Sequence, residues 1–188
     1  MKNVNWDNVQ EEIRRPVPGG YAAKITRVED VENKEYLRIE WEFAEGELKG
    51  VNQETFDTLG FWPMPFFCSY KEKALRFFKG FKTAVEMSNR NYVFRNDPQS
   101  LVGKFIGVVL GEEEYLASDG SVKKRLYVAE KRSGKAIRDG DFTIPELKKL
   151  ASGATAPNSV PNYGGYANPT APASDFALLD DDDAQLPF

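Results

Sequence analysis

Apolar and polar residues alternate most clearly between residues 35 and 45, which predicts a β-strand with two different faces. The apolar positions, which should face the core, are Leu37, Ile39, Trp41 and Phe43. The intervening positions, which should face solvent, are Tyr36, Arg38, Glu40 and Glu42. The same period of two predicts an earlier strand at residues 21–30.

The rest of residues 1–150 divides into further short elements. Strands are expected at 50–59, 104–113 and 122–131, with a hairpin turn at 118–121 between the last two. A short helix is expected in the arm at 1–15, a single turn at 97–103 and another short helix at 143–150.

A longer helix is expected at about 70–87, where the apolar period changes from two to about 3.6 residues. Ser69 and Glu72 form the S-x-x-E pattern of a capping box at its start. Its apolar stripe contains Ala74, Phe78, Phe81 and Val85. The basic residues around that stripe are interpreted either as a solvated face or as a landing site for acidic residues.

Residues 61–67 contain four aromatic side chains and two prolines. Proline cannot donate to a ladder of hydrogen bonds, so a regular central strand is excluded there. Two interpretations remain open: an aromatic plug under the core, or an exposed platform on which nucleic-acid bases stack.

Composition narrows the chemistry. The chain has 188 residues, one cysteine and no histidine, so nucleophile–histidine arrangements are absent and a structural zinc site is not expected. We expect no catalytic residues, no metal and no cofactor. A single cysteine suits a reducing compartment, and the sequence shows neither a signal peptide nor an apolar run of membrane-spanning length. We therefore expect a cytoplasmic protein with no membrane association.

Charge divides unevenly along the chain. All 25 Lys and Arg residues and 24 of the 29 acids lie in residues 1–150, which leaves that part at +1 and residues 151–188 at −5. Residues 152–179 are dominated by Ala, Pro, Gly, Ser, Asn and Tyr, a composition typical of a flexible linker. Four acids follow at Asp180, Asp181, Asp182 and Asp183. The last three residues are Leu186, Pro187 and Phe188.

This acidic run with an apolar Pro-Phe tip resembles the C-terminus of bacterial and phage single-stranded-DNA-binding proteins. In that family a Gly- and Pro-rich linker joins the tip to an OB-fold, and the tip recruits replication, recombination and repair proteins. The resemblance therefore implies that Asp180, Asp181, Asp182, Asp183, Leu186, Pro187 and Phe188 bind partner proteins. The simpler interpretation is a disordered acidic tail that keeps the protein soluble.

The predicted order of three strands, a helix and two strands agrees with an OB-fold, a five-stranded Greek-key barrel with a helix between strands 3 and 4. An SH3-like barrel is the rival, but it lacks so long an internal helix. We expect a mainly β protein with an N-terminal arm at 1–20, an OB-fold at 21–150 and the linker and tail at 151–188. A homo-oligomer is left open.

Single-strand binders combine cations that neutralise phosphates with aromatic rings that stack on bases. The candidate DNA-binding residues that satisfy this description are Lys24, Lys34, Tyr36, Arg38, Trp62, Lys104, Lys123, Arg125 and Tyr127. The central expectation is that the pairs Tyr36–Arg38 and Tyr127–Arg125 frame one cleft. A tyrosine on a wet strand face is also explained by β-propensity alone.

These observations favour a non-enzymatic protein that binds single-stranded DNA without strong sequence preference during phage DNA replication, recombination or repair in the cytoplasm of a bacterial host. One alternative is a recombination mediator or host-protein decoy that acts through protein contacts. Another is a metal-dependent nuclease that uses Asp30 with the triplet Glu47-Leu48-Lys49.

Overall fold

A five-stranded antiparallel sheet forms the centre of the structure, a computed structural model that describes residues 14–150. The strands are β1 Gly19–Val31, β2 Tyr36–Phe43, β3 Phe66–Ser69, β4 Phe105–Leu116 and β5 Val122–Arg132. The α-helices are α1 Val51–Leu59, α2 Leu75–Ser88 and α3 Gly134–Asp139. Three 3₁₀ turns lie at Glu32–Lys34, Glu72–Ala74 and Pro98–Leu101. No helix in the described range is long and apolar enough to cross a membrane.

The strand order is β3-β2-β1-β4-β5, so the long strand β1 is the centre of the sheet. Its second half pairs with β2, from Ala23 opposite Phe43 to Val31 opposite Tyr36. Its first half pairs with β4, from Gly19 opposite Leu110 to Lys24 opposite Phe105. The mainly β architecture with a few helices is therefore confirmed.

The core lies on one face of this sheet, as the alternation in β2 predicts. Leu37, Ile39, Trp41 and Phe43 are all at most 2% exposed. Helix α2, which lies between β3 and β4 in chain order, contributes the buried ring of Phe81 to the same cluster.

The outer face of β1 and β4 is covered by residues 134–150, and glycines on these strands allow the close approach. A Cβ atom at Gly20 would lie 2.5 Å from the ring of Phe142, and one at Gly107 would lie 2.3 Å from Ile137. Any larger residue at these positions would displace the covering segment.

The strand predicted at 50–59 is wrong, because these residues form helix α1. Its first turn is capped from a distance by the carboxylate of Glu42, which accepts hydrogen bonds from the backbone N–H groups of Asn52 at 3.2 Å and Gln53 at 2.8 Å. The third strand instead follows the two prolines of residues 61–67 and lies at the edge of the sheet, where proline nearby costs no central ladder bond.

The capping box at the start of α2 is also absent. The Ser69 hydroxyl donates to the carbonyl of Glu35 at 3.2 Å and accepts from the N–H of Lys71 at 3.3 Å, so it serves the turn before the helix. The 3₁₀ turn at Glu72–Ala74 precedes α2.

The single turn predicted at 97–103 is confirmed, since the Asp97 side chain accepts a hydrogen bond from the N–H of Gln99.

The helix predicted at 143–150 is wrong. The backbone of Lys148 instead pairs with β4: its N–H donates to Glu112 at 3.0 Å, and its carbonyl accepts from the N–H of Glu114 at 2.9 Å. This bridge uses the edge of β4 beyond the end of β1, so a long-range backbone pairing overrides the local helical pattern. The helix near this end is α3, whose N-cap is Ser133.

The predictions for residues 1–13 and 151–188 concern parts of the chain outside the described residues. They comprise most of the arm at 1–20, the linker and the acidic tip. Within the arm, Gly19 and Gly20 already belong to β1.

Candidate nucleic-acid interface

Tyr36 does not lie on an exposed face, in contrast to the expectation from the alternation. It is only 4% exposed, and its ring meets Phe67 of β3 edge-on with ring centroids 5.3 Å apart. Burial, followed by the charge of Glu29, raises the pKa of its phenol above the usual value. A ring enclosed in this way has little free surface on which a base could stack.

Arg38 lies on the same face of β2 and is held by two carboxylates. Its guanidinium donates a hydrogen bond to Glu40 and lies 3.6 Å from Glu29, the residue of β1 that stands opposite Arg38. Glu40 is itself 7% exposed, and its other cation is Arg27 at 3.9 Å. A cation already paired in this way with a buried carboxylate gains less from a phosphate than a free one.

Trp62 is 8% exposed, which supports the interpretation of residues 61–67 as a plug. Its indole N–H donates to the carbonyl of Trp41 at 3.1 Å, and its ring lies 5.8 Å from that of Phe56. Phe61 beside it is 39% exposed.

Three of the predicted cations lie apart from the aromatic pairs. Lys24 is exposed on β1, opposite Glu42 and Phe105 on its two neighbouring strands. Lys34 is exposed in the 3₁₀ turn between β1 and β2. The ammonium of Lys104 lies 4.7 Å above the ring of Tyr92, in a cation–π contact away from both tyrosine–arginine pairs.

The structure does bring Lys123, Arg125 and Tyr127 together on one face of β5. Tyr115 of β4 stands directly opposite Lys123, and the Arg125 guanidinium lies 5.4 Å above the Tyr115 ring. Lys148, from the segment bridged to β4, lies on the same face, where its ammonium is 3.9 Å from Glu113. We call this surface the hairpin face: Tyr115, Lys123, Arg125, Tyr127 and Lys148.

Carboxylates partly neutralise the cations of the hairpin face. Glu113 lies 2.7 Å from Arg125 and 3.9 Å from Lys148, and Asp119 lies 3.1 Å from Lys123. Burial, followed by the charge of Glu113, raises the pKa of Tyr127. Hydrogen bonds from Ser121 and Lys123 hold the pKa of Asp119 well below its usual range. The hairpin face therefore offers aromatic rings with only a small excess of positive charge.

Tyr115 was missed by sequence reasoning, although a signal was present. Residues 113 and 115 continue the alternation of β4 beyond its apolar run, and the hairpin turn places Tyr115 beside Lys123. Extending the predicted strand from 113 to 116 would have found it.

The two tyrosine–arginine pairs do not form the exposed cleft that was expected, because Tyr36 is buried and Arg38 is paired with two carboxylates. Tyr36 lies opposite Val31 at one end of β1, whereas Gly111, the partner of Tyr127, comes just after Leu110, the partner of Gly19 at the other end.

The residues of the imagined nuclease site are separated in the same way. Asp30 lies opposite Leu37 and accepts a hydrogen bond from the Tyr70 hydroxyl at 2.8 Å, whereas Glu47 follows the other end of β2. Among residues 14–150, no cluster of three or more His, Cys, Asp or Glu residues could hold a metal ion.

Comparison with protein-family models and with curated proteins found no match to this chain. The proposed function therefore rests on the sequence and on the geometry of the structure.

Proposed function

We propose that this protein binds single-stranded DNA without strong sequence preference, is not an enzyme, and places bases on the hairpin face. The observation that carries the proposal is the row of two half-exposed tyrosines with Arg125 and Lys123 beside them on β4 and β5. Such rings accept the flat face of any base, and neighbouring cations attract the backbone.

We also propose that the sheet is an OB-type Greek-key barrel. The order β3-β2-β1-β4-β5, with β1 shared and α2 between β3 and β4, supports this topology. The ammonium of Lys131 on β5 lies 5.6 Å above the ring of Phe66 on β3, so the two edge strands approach each other. In OB-folds the loop between strands 4 and 5 commonly contacts the ligand, which agrees with a binding role for the β4–β5 hairpin.

The acidic run Asp180–Asp183 and the apolar tip Leu186–Phe188 are proposed to recruit replication or recombination proteins. Their support is the sequence pattern alone: carboxylates steer a segment toward a basic rim, and an aromatic anchor fills a pocket. A chain lacking residues 180–188 should lose partner capture and keep its affinity for DNA.

Fluorescence anisotropy with a labelled oligo-dT tests the binding proposal, with Mg²⁺ present and the oligonucleotide checked for cleavage on a gel. A labelled oligonucleotide is preferable to Trp quenching, because Trp41 is 0% and Trp62 8% exposed. Tyr115→Leu should weaken binding by about 1–3 kcal/mol if a base stacks on the ring, and Tyr115→Phe should retain the affinity. Equal affinity of Tyr115→Leu and the parent would remove the hairpin face from the interface.

A further inference from the structure

The exposed side of helix α2 and of the 3₁₀ turn before it carries positive charge that forms no ion pair with another described residue. Lys73, Arg76 and Lys79 are all exposed, and within the described residues none has a carboxylate within 4.0 Å. They follow one another at intervals of three, Lys73 in the 3₁₀ turn that precedes α2 and the other two in the first turns of α2 itself.

This surface differs from the strands, where cations face acids. On the hairpin Arg125 pairs with Glu113, which stands opposite it, at 2.7 Å, and Lys124 pairs diagonally with Glu112 at 3.4 Å. In α2 the ion pair is at the far end, between Lys82 and Glu86 at 2.9 Å. Phosphates could therefore bind these cations, and release the counterions of the nucleic acid, without first breaking an ion pair among the described residues.

An aromatic ring lies among these cations. Phe77 is 57% exposed, and the guanidinium of Arg76 lies 4.6 Å above its centroid. Leu75 beside it is 49% exposed. Large apolar side chains do nothing to keep a helix face in contact with water. Guanidinium planes and aromatic rings, in contrast, both stack on unpaired bases.

We infer that the α2 ridge, formed by Lys73, Arg76, Phe77 and Lys79, is a second contact surface for single-stranded DNA and supplies most of the phosphate neutralisation. The inference rests on the proposed function and extends it: the hairpin face stacks bases, while the ridge holds the backbone and adds the ring of Phe77 for stacking. An acidic protein segment would share the charge complementarity of phosphates, but it lacks the flat bases that match the exposed Arg76–Phe77 pair.

The test measures how affinity for labelled oligo-dT depends on salt. Replacing Lys73, Arg76 and Lys79 together by Gln should lower the slope of log K against log salt by about 2, since each phosphate contact on a single strand contributes about 0.7. The matched control replaces Lys49, Arg90 and Arg95 by Gln. These three are also exposed and have no carboxylate within 4.0 Å in the described range, and replacing them changes the net charge by the same amount.

A second variant addresses the ring. Phe77→Leu keeps an apolar side chain but removes the aromatic face, and it should lower affinity roughly 5- to 150-fold with the slope unchanged. Circular dichroism melts establish that each variant is folded before its binding is compared.

The possible outcomes separate the two proposals. If the parent chain does not bind oligo-dT, both fail. If the parent binds but the ridge and control triple variants give equal slopes, the ridge is a solvated face and only this inference fails. If the ridge variant weakens binding of a labelled deca-glutamate peptide and leaves oligo-dT binding unchanged, the surface is for acidic protein and the inference is overturned.

Discussion

Replacing Arg38 should damage the fold rather than the binding of DNA. The Glu40 side chain is 9% exposed, and Arg38 is its nearest cation. In Arg38→Met the carboxylate keeps only Arg27, whose guanidinium lies 3.9 Å away on a side chain that is 63% exposed. The variant therefore leaves a nearly buried charge with one distant, well-solvated partner.

The magnitude follows from the degree of burial. Removing one partner of a fully buried ion pair costs about 3–5 kcal/mol. Because Arg38 is itself 21% exposed and Arg27 remains, we expect a loss of about 1.5–3 kcal/mol in the free energy of unfolding. The second replacement, Glu40→Leu in the same chain, should restore at least half of that loss, since it removes the stranded charge.

Urea denaturation measures both variants, and oligo-dT anisotropy is measured on the same samples. We expect the unfolding midpoint of Arg38→Met to fall while the affinity of its folded fraction and its salt slope stay close to those of the parent. An unchanged midpoint together with a weakened affinity would refute this reasoning and return Arg38 to the interface.

Three further predictions concern the fold. Glu42→Ala should lower the free energy of unfolding by about 1–2 kcal/mol because α1 loses its cap, whereas Glu45→Ala, one exposed acid further on, should change it by less than about 0.5 kcal/mol; urea denaturation of both decides. Burial, followed by hydrogen bonding and charge from Asp30, raises the pKa of Tyr70 to about 12. A phenol pKa that is higher in the folded than in the unfolded chain stabilises the fold below pH 10, and this stabilisation is lost as the pH rises toward 12. Tyr70→Phe should therefore flatten the alkaline loss of stability in melting experiments. An unchanged profile would contradict the assignment. Burial raises the pKa of the Cys68 thiol to about 12, so Ellman's reagent at pH 8 should react at the rate of unfolding, and rapid labelling of the native chain would show that the site is open.

The sequence alone predicts those elements whose hydrogen bonds and packing are decided locally. The alternation of β2 identifies its four apolar core residues correctly but not the burial of Tyr36 and Glu40 on the other face, and the β4–β5 hairpin follows from its turn residues. Helix α3 was not predicted, although Ser133 as N-cap and Gly140 after its end are local signals.

Errors arise where a distant residue decides the local structure. Helix α1 is capped by Glu42, which precedes it by about ten residues, and the 143–150 segment is held extended by the free edge of β4. The same reason explains the misjudged tyrosine: alternation correctly places Tyr36 opposite the core face, but only the pairing of β2 with β3 shows that Phe67 covers it. Alternation assigns a side chain to a face, and tertiary packing decides whether that face is exposed.

The distribution of charge has a consequence that net charge conceals. Residues 1–150 are nearly neutral overall, which by itself gives little reason to expect binding to a polyanion. In the structure, however, the strands pair cations with acids, whereas α2 and the turn before it present three cations that form no ion pair within residues 14–150. Paired charges on the sheet and unpaired charges on the ridge give a small sum and a large local asymmetry. If the ridge binds phosphates as proposed, this asymmetry should govern affinity more than the sum does, because charges act within about 8–10 Å at ordinary salt. The dependence on salt should therefore respond to mutations of the cations in the α2 ridge, whereas the strength of base stacking should respond to mutations of Tyr115 in the hairpin face and of Phe77 in the ridge.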